Sequence, residues 1–232
     1  MSNFIKNILI NKVITLIISL CLLLFHNYSF TQESKLNSLS DYEDTLKKLA
    51  KIVLHAKHDF VKLEANEKLL VLFEEALLLP KSFDYSFDSL KSISRLKSKD
   101  NFFRIYTWML PKEDGTYEYF GFVHVRLEKK KNYIVYKLFD NSDNIESPET
   151  KILNAENWYG ALYYDIVYNK HNNKTFYTLL GWDGNNRIST KKIIEILTFV
   201  GSKNKPVFGY SVFRKYRKLS KRVIFEYSAK TA

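Results

Sequence analysis

Phe102-Phe103-Arg104-Ile105-Tyr106-Thr107-Trp108-Met109 is the stretch whose reading decides the fold. Phe103, Ile105, Thr107 and Met109 alternate with Phe102, Arg104, Tyr106 and Trp108, which is the period of a β-strand. Lys112-Glu113-Asp114-Gly115 follows at once and supplies a hairpin turn through its Asp-Gly pair. All seven glycines lie from this turn onward, at 115, 121, 160, 181, 184, 201 and 209. Further strands are expected at 116–127, 132–139, 161–169, 174–182, 191–200, 206–213 and 221–228, joined by turn-like connectors. Short strands with tight links predict an antiparallel meander, not a parallel sheet with helical crossovers. In segment 190–200 the residues Ile193, Ile194, Ile196 and Leu197 also suit a helix, but its β-branched content favours a strand. Phe120-Gly121-Phe122, Tyr159-Gly160-Ala161 and Phe208-Gly209-Tyr210 read as bulges or close strand crossings in a curved sheet, since they recur with no fixed period.

Upstream of residue 102 the chain is rich in Leu, Lys and Glu and the period is helical. Leu46, Leu49, Ala50, Val53 and Leu54 form the stripe of an amphipathic helix, with Ser40 and Glu43 as its expected capping box. A second helix is expected over about 65–79, stopped by Pro80. Residues 81–100 read as a connector with one short helix near Ser89–Leu96. The expected fold class is α+β, with N-terminal helices packed on a large curved antiparallel β-meander. A helical segment, 32–100, and a sheet region, 101–232, together make one globular domain.

The chain has 232 residues, of which 46% are hydrophobic and 16% aromatic, a composition that excludes disordered and low-complexity classes. One cysteine excludes a disulfide framework and a cysteine zinc cluster. Residues 1–31 carry Lys6 and Lys12, no acidic residue, and an apolar run of 13 residues from Val13 to Phe25. A bilayer-spanning helix needs about 20 such residues, so the run is short for a span. A signal peptide explains the basic start, the apolar centre and the polar tail His26-Asn27-Tyr28-Ser29, with cleavage before Gln32; an uncleaved anchor is the alternative. The expected location is exported: periplasmic, outer-membrane-associated or extracellular. Cleavage removes Cys21 together with the two lysines, taking the net charge from +11 to +9.

Chemistry is sparsely signalled. His55 and His58, followed by Asp59, have a metal-like spacing but no third ligand, so neither a metal nor another cofactor is expected. Asp140-Asn141-Ser142-Asp143-Asn144 and Asp183-Gly184-Asn185-Asn186 resemble fragments of calcium loops, but each lacks the spaced oxygens and terminal Glu, and both read as turns. Asp165, Glu195 and Glu226 are carboxylates set in apolar strands, the only catalytic candidates. Against them, Arg222 and Glu226 stand four apart on one strand face, which also suits an ordinary charge-balanced surface. Trp108, Trp158, Tyr159 and Trp182 are candidates for a glycan-stacking groove, with core packing as the competing reading. Arg214, Lys215, Arg217, Lys218, Lys221 and Arg222, with Lys129, Lys130 and Lys131, concentrate the positive charge. Export turns that charge away from nucleic acid and toward an anionic envelope lipid or glycan. The expected function is therefore a non-enzymatic binding or structural module outside the cytoplasm. The rival class is a glycosidase-like hydrolase acting through Asp165 or Glu226.

Several phrases resemble an uncharacterised family of exported Bacteroidetes proteins. They are Asp100-Asn101-Phe102-Phe103-Arg104-Ile105-Tyr106-Thr107-Trp108, Tyr119-Phe120-Gly121-Phe122 and Trp158-Tyr159-Gly160-Ala161-Leu162-Tyr163-Tyr164. Tyr177-Thr178-Leu179-Leu180-Gly181-Trp182-Asp183-Gly184-Asn185-Asn186 and Arg222-Val223-Ile224-Phe225-Glu226-Tyr227-Ser228 continue the series. The resemblance implies a signal peptide and an envelope or secreted location, and it transfers no catalytic residue. Members of that family continue past the Phe-Glu-Tyr-Ser strand, so a fragment or shortened member is expected here.

Overall fold

Ser38 opens the first helix of the computed structural model, α1 (Leu39–His55). The structure describes residues 36–127, 132–171, 174–215 and 218–231. The capping box lies two residues earlier than the sequence pattern suggests. Ser38 Oγ accepts from the Asp41 amide at 3.2 Å, and the Asp41 carboxylate accepts from the Ser38 amide at 3.0 Å. Glu43, expected in that role, turns inward and holds the connector, accepting from the Ser89 amide at 2.6 Å and the Tyr85 hydroxyl at 2.5 Å.

The second helix, α2 (Asp59–Leu78), starts six residues before the expected boundary and stops as foreseen ahead of Pro80, with Leu79 extended. Tyr42 ties the two helices together by donating to Glu75 at 3.1 Å. The short helix expected over 89–96 is absent; turns lead instead into a strand, β1 (Ser94–Lys97). Ser94 lies opposite Thr107 and Lys97 opposite Arg104 in the neighbouring strand, a pairing that no local periodicity encodes.

The described strands divide into two large sheets and a small hairpin, where the sequence suggests a single meander. The first sheet has the order β1-β2-β3-β4, all antiparallel, with β2 (Phe103–Pro111), β3 (Tyr117–Leu127) and β4 (Asn132–Phe139). The second follows β5 (Leu153–Asn154), β9 (Lys205–Phe208), β8 (Ser189–Val200), β7 (Lys174–Asp183) and β6 (Leu162–His171) across the sheet. β8 is long enough to serve two partners on one edge, β9 against Leu197–Val200 and β12 (Arg222–Ser228) against Ser189–Glu195. β10 (Phe213–Lys215) and β11 (Lys218–Ser220) form a separate small hairpin.

Both faces of β2 are buried, which is why the stretch 102–109 contains so few polar residues. One face meets the helices: Phe73 of α2 packs edge-on against Tyr106 and Phe122 at 5.0 and 5.8 Å. On the same side Trp108 donates its indole N–H to Asn66 at 2.7 Å. The other face forms the main core, where Phe103, Ile105, Val123 and Val125 meet Tyr163, Leu179, Ile193, Leu197 and Phe208 of the second sheet. Each such side chain contributes about 1.5–3 kcal/mol by leaving water. The α+β class is thus realised as helices on a four-stranded sheet that itself packs on a second sheet.

The register irregularity in β6 falls between Tyr163 and Asp165, leaving Tyr164 as the extra residue, not at any of the three expected glycines. Gly121 is a close approach of another kind: a Cβ there would run into the Tyr106 carbonyl on the adjacent strand.

Candidate functional site

The two Asp/Asn-rich turns, read separately in the sequence as turns, converge on one cleft of about 700 Å³. Its walls come from the start of β3, the end of β4 with the turn after it, and the connection from β7 to β8. Tyr119 links the two turns. Its backbone amide donates to Asp140 Oδ2 at 3.1 Å, and its hydroxyl donates to Asp183 Oδ1 at 3.0 Å. The same hydroxyl accepts from the Gly184 amide at 2.7 Å. Burial, then the Asp183 charge, pushes the Tyr119 phenol far above its ordinary range, so it remains a proton donor.

Asp140 organises its turn. Oδ1 accepts from the Ser142 amide at 3.0 Å, the Ser142 hydroxyl at 2.5 Å and the Gly160 amide at 3.1 Å. Burial raises its pKa against the effect of these bonds. Gly160 is required here because a Cβ would sit on the Asp140 carboxyl group. Gly184 serves the opposite wall, where a Cβ would strike the Tyr117 ring. Lys191 approaches Asp183 at 3.6 Å.

Tyr159 completes the cleft. Its residue surface is 5% exposed, and its hydroxyl makes no hydrogen bond among the described residues. Burial, then Asp183, raises its pKa. Phe139 adds a half-exposed aromatic face at the end of β4.

Of the four aromatic candidates, only Tyr159 lines this cleft. Trp108 lies in the helix-facing core and Trp158 in the core between the sheets, so these two are corrections to a groove reading. The indole N–H of Trp158 is satisfied by the Tyr163 hydroxyl at 2.9 Å. Trp182 is half-buried, edge-on to Tyr117 at 5.6 Å.

The carboxylate candidates are equally dispersed. Glu195 is fully buried and lies directly opposite Arg222, which donates to Glu195 Oε2 through Nε at 2.9 Å and Nη2 at 2.8 Å. Tyr163 donates to the other oxygen of Glu195. Burial, then the Glu195 charge, raises the Tyr163 phenol far above its ordinary range. Arg222 spends its remaining donors on the carbonyls of Pro148 and Lys151. A buried pair so completely bonded holds β12 to β8 and has no access to a substrate. Asp165 is exposed and accepts from the following amide of Ile166 at 2.8 Å. Glu226 is exposed beside the cleft wall, accepting from Ser189 at 2.5 Å and Asn185 at 3.3 Å.

The basic cluster is smaller than its sequence suggests, because Arg222 is internal and Lys221 donates to the Thr150 carbonyl at 2.8 Å. Arg214 and Lys218 are exposed on the β10–β11 hairpin, and Lys215 ends β10. Arg217, Lys129, Lys130 and Lys131 lie outside the described residues.

His55 ends α1, whereas His58 precedes α2 with a ring nitrogen 3.4 Å from Glu113, so the two imidazoles do not share a helix face. Among the described residues no group of three or more His, Cys, Asp or Glu is arranged to hold a metal ion. None of the described helices is long and apolar enough to cross a membrane.

Compared with protein-family models, curated proteins and solved structures, the chain matches none.

Proposed function

We propose that this protein is an exported, non-enzymatic binding module whose cleft takes a polyhydroxylated ligand of the glycan type. The observation that carries this reading is the convergence of two Asp/Asn-rich turns and the Tyr159 hydroxyl on one open cleft of about 700 Å³. That volume falls among small-ligand sites. Asn amides, carboxylates and phenols offer donors and acceptors side by side, which suits a ligand rich in hydroxyl groups. Phe139 supplies an apolar face of the kind that packs on a sugar ring. Export rests on the basic, then apolar, then polar order of residues 1–31. The hydrolase alternative has less support, because neither Asp165 nor Glu226 lines this cleft and Glu195 is sealed against Arg222.

Titration calorimetry of the full chain against a panel of neutral oligosaccharides tests this reading. Saturable binding is expected, lost in Phe139→Ala and unchanged in Lys218→Ala. Absence of binding across the panel refutes it, as does binding that survives Phe139→Ala intact.

A further inference from the structure

The cleft has a charge opposite to that of the chain. The sequence carries +11, yet five carboxylates, Asp114, Glu118, Asp140, Asp143 and Asp183, line the cleft against three lysines. Two lysines are engaged within it, Lys112 with Glu118 at 2.5 Å and Lys191 with Asp183 at 3.6 Å. The third, Lys137, lies over the Phe139 ring at 5.3 Å.

Three carboxylates are left without an ion-pair partner among the described residues. Asp114 accepts from the Thr116 amide and hydroxyl at 2.8 and 2.7 Å, and Asp140 accepts only from neutral donors. Asp143 is exposed at the cleft and makes neither a hydrogen bond nor an ion pair among the described residues. Tyr159 is the second observation here: the residue is only 5% exposed, it lines this same cleft, and its hydroxyl has no hydrogen-bond partner among the described residues, which leaves that group for a ligand. Aromatic faces beside carboxylates attract cations as well as apolar ring surfaces.

We infer that the ligand carries positive charge and is an amine-bearing saccharide, its ammonium group directed to Asp140 and Asp143 and a ring hydroxyl to Tyr159. This inference rests on the glycan reading above. An anionic saccharide is repelled by the same carboxylates, so the cleft and the basic β10–β11 hairpin address ligands of opposite sign.

Calorimetric titration of the full chain with a β-1,4-linked glucosamine tetramer and with its fully N-acetylated counterpart separates the two claims. The amine form is expected to bind at least about tenfold tighter, and the advantage to shrink as salt rises. Asp143→Asn is expected to remove a large part of that advantage, and Tyr159→Phe to weaken both ligands alike. Asp143 is exposed and bonded to no described residue, so its variant keeps the wild-type unfolding midpoint. Equal affinities, or tighter binding of the acetylated form, overturn the inference and leave the glycan reading standing. Failure of both tetramers to bind overturns the inference, and the neutral panel then decides the glycan reading separately.

Discussion

Acidification acts on this fold through His124. The ring is fully buried on the first sheet, packed edge-on to Phe83 of the connector after α2 at 5.1 Å and to Tyr133 at 5.2 Å. Neither ring nitrogen has a hydrogen-bond partner among the described residues. Arg104 lies directly opposite on β2, and Arg126 lies two residues along β3 on the same face. Burial first, then these two guanidinium groups, pushes the His124 pKa down to about 3 from an ordinary 6.5, with Asp84 opposing weakly. The folded-state pKa is the lower one, so the unfolded chain takes up the proton first. Stability is therefore unaffected above about pH 6.5 and falls by ~1.4 kcal/mol per pH unit between 6.5 and 3. From pH 7 to pH 5 the loss due to this residue is about 2 kcal/mol. Denaturant unfolding followed by tryptophan fluorescence reads it directly, with Trp108 and Trp158 buried as reporters. His124→Leu keeps a similar volume and removes both unpaired nitrogens. Between pH 7 and pH 5 the wild type is expected to lose about 2 kcal/mol more than this variant. Equal losses in the two proteins would refute a neutral, unpaired His124.

Three other substitutions probe separate parts of the fold. Glu195→Ala leaves Arg222 buried and unpaired and is expected to cost about 3–5 kcal/mol, whereas the exposed Asp165→Ala stays within about 0.5 kcal/mol; similar unfolding midpoints for both would remove the structural role of the pair. Ser38→Ala deletes the helix cap and is expected to cost about 1 kcal/mol, measured by thermal unfolding, and an unchanged midpoint contradicts the capping geometry. Gly160→Ala places a methyl group on the Asp140 carboxyl and is expected to lower stability by about 1–3 kcal/mol while weakening oligosaccharide binding. A variant with wild-type midpoint and affinity shows that Asp140 is free to move.

Most of the β half was legible in residues 102–228 because alternation and turn chemistry are local, although the strand expected over 206–213 ends at Phe208. β3, β4, β6 and β7 lie within one or two residues of their expected bounds. The ambiguous segment 190–200 is the strand β8, as its β-branched residues suggest. The short helix expected near Ser89–Leu96 gives way to turns and a strand because Leu90 and Ile93 are spaced by core contacts, and Ser94–Lys97 becomes a strand only when β2 lies beside it. The missed strand β5 is two residues long and exists by pairing with β9 from the far end of the chain.

Residues that share chemistry were harder to place than residues that share a strand. Trp108, Trp158 and Glu195 carry large or charged side chains that look functional in one dimension, yet each is enclosed and satisfied, Trp108 by Asn66 and Glu195 by Arg222 from distant parts of the chain and Trp158 by Tyr163 five residues on. Asp140 and Asp183 look like ordinary turn residues, and each does serve its own turn. They become one site only because Tyr119 reaches both.

Composition, hydrophobic period and turn residues by themselves determined the α+β class, the two helices ahead of the strands and the basic, apolar, polar layout of the first 31 residues. Those properties depend on neighbours within a few positions, where backbone sterics and amphipathicity act. The division into two sheets, the sealing of Glu195 by Arg222 and the gathering of five carboxylates into one cleft were decided only by tertiary structure. Burial and charge balance depend on which distant residues meet, and the packing of one sheet on the other sets those meetings.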